Sequence, residues 1–184
     1  MNRPALQLGC LSIALACLAA CNAPAEPTTT STSTTAAPSD ADLLARGEYL
    51  VRITGCNDCH TPAYGERGGD VPTQEWLVGS PLGYYGPWGT TYAANLRIKA
   101  AEMDEAGWLK YTGELHTRPI MPDFSVRAMH EDDRRAMYRF IRSLGTAGGK
   151  APEYLPPGQT PPLPYFQLVL PPAAPAGSTP PPAG

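Results

Sequence analysis

The chain has 184 residues, a formal charge of −3 and a pI near 5.6, with 22 Pro, 18 Gly, 5 Cys and 17% charged residues. That length suits one domain with tails, and the acidic balance leaves no basic footprint for nucleic acid. Five cysteines cannot close a simple disulfide framework, so each must be placed by its surroundings.

Met1 and Arg3 open the chain, and an apolar run follows from Leu8 to Ala20. At about 13 residues it is too short to cross ~30 Å of hydrocarbon and suits the core of a secretory signal. Its end, Leu18-Ala19-Ala20-Cys21, resembles the bacterial lipoprotein signal. That resemblance implies removal of residues 1–20, which takes Cys10 and Cys17 with them, and lipidation of Cys21. An ordinary signal peptide cut nearby is the competing reading, and a lipoprotein cut before Cys17 fits less well because Ala14, not Leu, stands three positions earlier. Asn22, where Asp commonly retains lipoproteins in an inner membrane, favours the outer one. Residues 21–38, rich in Thr, Ser and Pro, read as a flexible tether to a domain at 39–150.

The domain opens with a capping-box pattern at Ser39 and Asp42. The apolar set Leu43, Leu44, Gly47, Leu50 and Val51 then keeps a helical period, and Gly55 ends the helix. A second helix is expected near Asp104 to Glu114. A third begins about His130, with Glu131, Asp132 and Asp133 placed well for the helix dipole. Its apolar face is Ala136, Met137, Phe140, Ile141 and Leu144, and Gly145 stops it. Arg134, Arg135, Arg139 and Arg142 take the remaining surface, either as a solvated face or as a patch steering an acidic partner. Twelve of the 22 prolines follow Lys150, so residues 151–184 read as an extended Pro-rich tail, disordered after about residue 171.

Between the first helix and the middle lies Cys56-Asn57-Asp58-Cys59-His60. A C-x-x-C-H motif reads as a c-type haem attachment site. Thiols at i and i+3 on one helical turn face the same way and can each add to a haem vinyl group, and the adjoining imidazole supplies the proximal iron ligand. A zinc ribbon would need four ligands, and no further cysteine remains once those of the leader and the lipidated Cys21 are set aside, while His116 and His130 lack a paired spacing. A thioredoxin-like site lacks its βαβ context. A plain disulfide across so tight a loop stabilises little.

A helix before CxxCH, a loop-rich middle and a closing amphipathic helix resemble class I cytochrome c: a mainly α, small helical domain around one covalently bound haem, with long loops. The run Gly86-Pro87-Trp88-Gly89-Thr90-Thr91-Tyr92-Ala93-Ala94-Asn95-Leu96 narrows the likeness to exported cytochromes related to alcohol and gluconate dehydrogenase cytochrome subunits. So do Pro119-Ile120-Met121-Pro122 and the helix from Glu131 to Leu144. Those subunits usually carry three CxxCH sites; this chain has one, and is similar to them as a single-haem relative.

The sixth iron ligand comes from Met103, Met121, Met129, Met137, His116 or His130. Met137 falls on the apolar helix face and reads as core. Met129 precedes the last helix, where an apolar residue packs as a staple. Met121 sits in a loop 61 residues after His60, before a proline that restrains its backbone, and the resemblance places the axial Met in this M-P element. Met121 is therefore the expected distal ligand, with Met129 next and His116 third. The proximal imidazole needs an acceptor for its other N–H, expected from a carbonyl between Thr61 and Pro72. Trp88, Tyr92 and Asn95 are candidate haem-pocket residues.

With both axial positions filled, the expected function is single-electron transfer between Fe(III) and Fe(II). The donor is expected to be an exported dehydrogenase or quinol oxidiser and the acceptor an oxidase or another cytochrome. The chain is thus expected to be an electron carrier, or an accessory subunit of a dehydrogenase, anchored by lipid on the periplasmic side of a bacterial membrane. A haem enzyme or gas sensor with an open sixth position, and a structural lipoprotein with a CxxC disulfide, are the competing classes.

Overall fold

The computed structural model describes residues 38–172. The leader, Cys21, nearly all of the expected tether and the tail beyond residue 172 lie outside the described residues. Helices dominate: α1 (Asp40–Ile53), α2 (Cys56–His60), α3 (Leu96–Ala101), α4 (Glu105–Gly113), α5 (Asp123–Ala128) and α6 (Glu131–Ser143). Three short strands, β1 (Gly83–Gly86), β2 (Gly89–Tyr92) and β3 (Tyr165–Gln167), form a sheet in the order β2-β1-β3.

Helix α1 begins at Ser39, whose Oγ accepts from the Asp42 amide at 3.2 Å while the Asp42 carboxylate accepts from the Ser39 amide at 3.0 Å. These are the reciprocal bonds of a capping box. The Ser39 hydroxyl and then its amide hold the Asp42 carboxyl below its ordinary value. Since that value is lowered on folding, the contribution is present above the unfolded pKa and is lost as pH falls through the folded one. Ser39→Ala should therefore return Asp42 towards an ordinary carboxylate, a shift that NMR titration of its carboxyl carbon would register. An unmoved titration would contradict the cap.

Helices α1 and α6 pack directly on each other and carry most of the core. Leu50 and Val51 from α1 meet Ala136, Met137, Phe140 and Ile141 from α6, all buried. The crossing is close because Gly47 presents no side chain: a Cβ there would strike the Ala136 carbonyl and lie 2.7 Å from Phe140 Cβ. Leu44 departs from the expected core face and stays 36% exposed. Trp76 is fully buried, donates its indole N–H to the Val71 carbonyl at 2.8 Å, and meets Tyr64 and Phe140 edge-on. The edge-on geometry suits aromatic quadrupoles.

The arginines of α6 are less free than a solvated face would be. Arg135 and Arg139 converge on Glu105 of α4, and Arg135 also reaches Glu131 at 2.7 Å. Arg142 donates to the Ala100 carbonyl at 3.2 Å. This spends much of the row on intramolecular pairing, which weakens its reading as a docking patch. The middle, expected as loops, contains α3, α5 and the β1–β2 hairpin, whose register runs from Gly83 opposite Tyr92 to Gly86 opposite Gly89. The tail joins this hairpin: β3 pairs in parallel with β1, and Leu155 bridges Thr90. Leu163 and Val169 nevertheless remain 83% exposed, so backbone pairing holds this stretch more than apolar burial does. Among the described residues, no helix is long and apolar enough to cross a membrane.

Candidate functional site

Gly55 adopts a left-handed conformation, φ 73°, which turns the chain sharply out of α1 and into α2. Only glycine takes that conformation without steric cost. The single helical turn that follows carries Cys56, Cys59 and His60, all three lining one cavity of about 680 Å³. A volume of this size lies within the roughly 300–1,000 Å³ of small-molecule and cofactor clefts. Both thiols are unbridged, and burial raises the pKa of Cys56, a shift that its bond to Thr54 opposes.

His60 is buried, and its Nδ1 lies 2.7 Å from the Ala94 carbonyl. Nδ1 must therefore be the protonated nitrogen, which leaves Nε2 as the lone-pair donor. Burial also lowers the His60 pKa and favours the neutral ring. The acceptor is not in the Thr61–Pro72 stretch, where it was expected. Instead, residues 77–80 are laced to residues 93–96: Ser80 N donates to Ala93 O at 3.1 Å and Leu96 N to Leu77 O at 3.0 Å. The same strip is tied to the haem-motif helix, since Gly79 N donates to His60 O at 2.8 Å and Leu77 N to Thr61 Oγ1 at 2.8 Å. Those bonds bring a carbonyl 34 residues away onto the imidazole.

Methionines line the same cavity. Met121 comes from the loop before α5, Met129 from the residue after it and Met137 from α6. Met137 is also a buried member of the core, as its helical position implies, and Met129 packs against that core. Met121 lies in irregular backbone between two prolines, Pro119 and Pro122. His116 also reaches the cavity.

The three expected pocket residues separate. Tyr92 lines the cavity. Asn95 lines it too, but its side chain is already committed: Oδ1 accepts from Arg97 N and Ile98 N at 3.0 Å, and Nδ2 donates to the carbonyls of Ala147 and Gly149. It is an N-cap and a strut for the chain after α6. Trp88 is not among the cavity's lining residues; its indole donates to the Tyr84 carbonyl at 3.3 Å, within the hairpin it belongs to. An aromatic residue in a family-like segment is as well explained by hairpin packing as by a cofactor, and the indole's hydrogen bond is made within the hairpin. Arg118, Lys150 and Tyr154 line the cavity without having been singled out from the sequence. Lys150 and Tyr154 lie at the start of the tail, which pairing of Leu155 with Thr90 and of β3 with β1 returns to the hairpin, whereas Arg118 belongs to the loop that carries Met121. A hint existed in the aromatic start of that tail.

The donor set fits a covalently attached haem c. Two thiols at the spacing of one turn, an imidazole with a fixed free nitrogen, and soft thioethers share a cavity whose walls are mostly apolar residues.

No family profile matches the chain, and no solved structure matches it either. Among curated proteins, it is 32% identical over 118 residues to the cytochrome c subunit of an alcohol dehydrogenase (quinone) from Gluconobacter oxydans (strain 621H). The match covers 55% of this chain and 22% of that relative, so the chain corresponds to about a fifth of the longer protein. Imidazole and thioether donors meeting beside a thiol pair suit a group that changes oxidation state without taking up substrate. The site accordingly carries the haem c-binding pattern of class I c-type cytochromes, which suits electron transfer.

Proposed function

We propose that Cys56 and Cys59 form the two thioethers, that His60 binds iron through Nε2, and that Met121 is the distal ligand. The observation that carries this reading is the meeting of the α2 motif and the Met121 loop at one cavity. When bound, haem c supplies a one-electron couple between Fe(III) and Fe(II). The Ala94 carbonyl keeps the imidazole in one tautomer and orientation. A Met121 thioether paired with the His60 imidazole would favour the reduced metal relative to a second imidazole. Held by His60 and Met121, the iron would keep the same protein donors in both oxidation states.

The electron donor on this reading is an exported dehydrogenase or a quinol-oxidising complex, and the acceptor a terminal oxidase or another cytochrome. The likeness to a subunit of a quinone-linked alcohol dehydrogenase supports a dehydrogenase partner. Residues 1–20 are a lipoprotein signal, Cys21 carries the lipid, residues 21–38 are the tether, 39–150 the haem domain and 151–184 the tail. More than one acyl chain on Cys21 would give stable attachment, on the periplasmic side and with the outer membrane favoured by Asn22.

Met121→Ala, matured with haem in an export-competent host, is expected to lose the weak red-edge iron–sulfur absorption of the ferric protein. Its midpoint potential should fall as well. Survival of that absorption in the variant rejects Met121, and its loss in Met129→Ala alone would move the assignment to Met129.

A further inference from the structure

The segment from Leu115 to Pro122 has neither helix nor strand, yet it is tied down by side chains from three other parts of the chain. Arg127 of α5 donates to the Leu115 carbonyl and lies 3.3 Å from His116 Nδ1. Asp123, the first residue of α5, accepts the Thr117 amide at 2.6 Å and pairs with Arg127 at 3.0 Å. Thr91 of β2 donates its hydroxyl to the Pro119 carbonyl at 2.7 Å. The Arg118 guanidinium stacks 3.7 Å above the Tyr154 ring of the tail. Met121 itself is held through its carbonyl, which accepts the Asp123 amide at 2.9 Å.

Asp123 is the hub of this arrangement. Its carboxylate leaves its own helix to reach a residue six positions earlier, across the loop that carries Met121. Its side chain is only 14% exposed, and Arg127, one helical turn later, is anchored to the start of the same loop. The carboxylate thus closes residues 117–123 into a ring around Met121, while Arg127 and Thr91 pin that ring to α5 and the hairpin. A loop held at both ends and in the middle has little freedom to lose when its thioether engages a metal. The same loop left free would spend part of its time with the sulfur withdrawn.

Resting on the assignment of Met121 as distal ligand, we propose that Asp123, together with Arg127 and Thr91, is a positioning residue that keeps the Met121 thioether on the iron. Apparent affinity for a competing ligand scales with the fraction of molecules in the open state. Loss of the clamp therefore appears directly as tighter binding of a small external ligand.

The test is imidazole titration of the ferric, haem-loaded full chain, read by the Soret shift, alongside the red-edge iron–sulfur band and the far-ultraviolet circular dichroism. Asp123→Ala is expected to bind imidazole about tenfold more tightly and to show a weakened band, with helical content unchanged. Thr91→Val, which removes one hydroxyl and keeps the branched shape, is expected to tighten binding about threefold. An affinity within twofold of the parent, with the band intact in Asp123→Ala, overturns the proposal. Where Asp123→Ala does not mature with haem, Thr91→Val and Arg127→Lys decide the matter by the same titration, and parental affinity in both overturns it. Retention of the band in Met121→Ala defeats the ligand assignment instead, whereas loss there with a silent Asp123→Ala defeats only the clamp.

Discussion

Gly47→Ala should destabilise the haem-loaded protein by about 3 kcal/mol, although alanine is the better helix former. Replacing an interior helical glycine ordinarily gains about 1 kcal/mol. Here the new methyl would meet the Ala136 carbonyl and Phe140 Cβ, the latter at 2.7 Å. Close-packed helices do not yield cheaply, and overpacking typically costs about 1–3 kcal/mol, sometimes more. The clash lies at the crossing of α1 and α6, where Leu50, Val51, Phe140 and Ile141 are all buried, so moving the helices apart strips contacts from the whole seam. A loss of this size lowers the melting temperature of a domain near 100 residues by roughly 10–20 °C. Gly65, whose added Cβ would meet nothing within 4 Å, is the control, and Gly65→Ala should melt with the parent. Equal melting of Gly47→Ala and the parent would show that the crossing has slack that the geometry denies.

The second large effect is expected at Arg97, an almost fully buried cation on α3 with no carboxylate among its hydrogen-bond partners. Its guanidinium donates to the Gly145 carbonyl at 2.5 Å, to Gln74 O at 2.8 Å and to the Leu144 carbonyl. Two of these belong to the end of α6, where the last carbonyls lack intrahelical partners and the dipole favours positive charge. Burial lowers the Arg97 pKa, and the three carbonyls offset that cost. Arg97→Met keeps much of the volume and removes every donor. Hydrogen bonds to a charged group contribute about 1.5–3 kcal/mol each, and water entering the site recovers part of the loss, so about 3 kcal/mol is expected. Arg97→Lys should lose about half as much, because one ammonium cannot serve three carbonyls in a planar fork. Guanidinium chloride denaturation is the check: the midpoint should fall with the slope unchanged. A midpoint within error of the parent for Arg97→Met would mean that those carbonyls find other partners.

Local patterns made the helical frame readable. The Ser39–Asp42 box, the stops at Gly55 and Gly145, the acidic first turn at Glu131 and the 3.6-residue apolar period of α6 are all carried by neighbours in the chain. So is the haem motif, whose chemistry depends on one turn of helix. The β1–β2 hairpin was hidden because its turn, Gly86-Pro87-Trp88-Gly89, sits in a segment without alternating polarity. Asn95 shows what residue type leaves open. Its residue type suited a haem contact, yet its amide is used up by α3 and by the carbonyls of Ala147 and Gly149.

The sequence by itself determined which atoms are available to the cofactor: two thiols three residues apart, an imidazole beside them, and a small set of thioethers downstream. It did so because covalent spacing and helical period act over a few residues. Only the tertiary structure decided that Ala94 orients His60, that Arg97 closes α6, and that a tail beginning near residue 150 contributes Lys150 and Tyr154 to the cavity. Those choices are made by backbone carbonyls and strand edges, which every residue possesses. Chain identity does not mark them, and only the packed fold selects which ones meet.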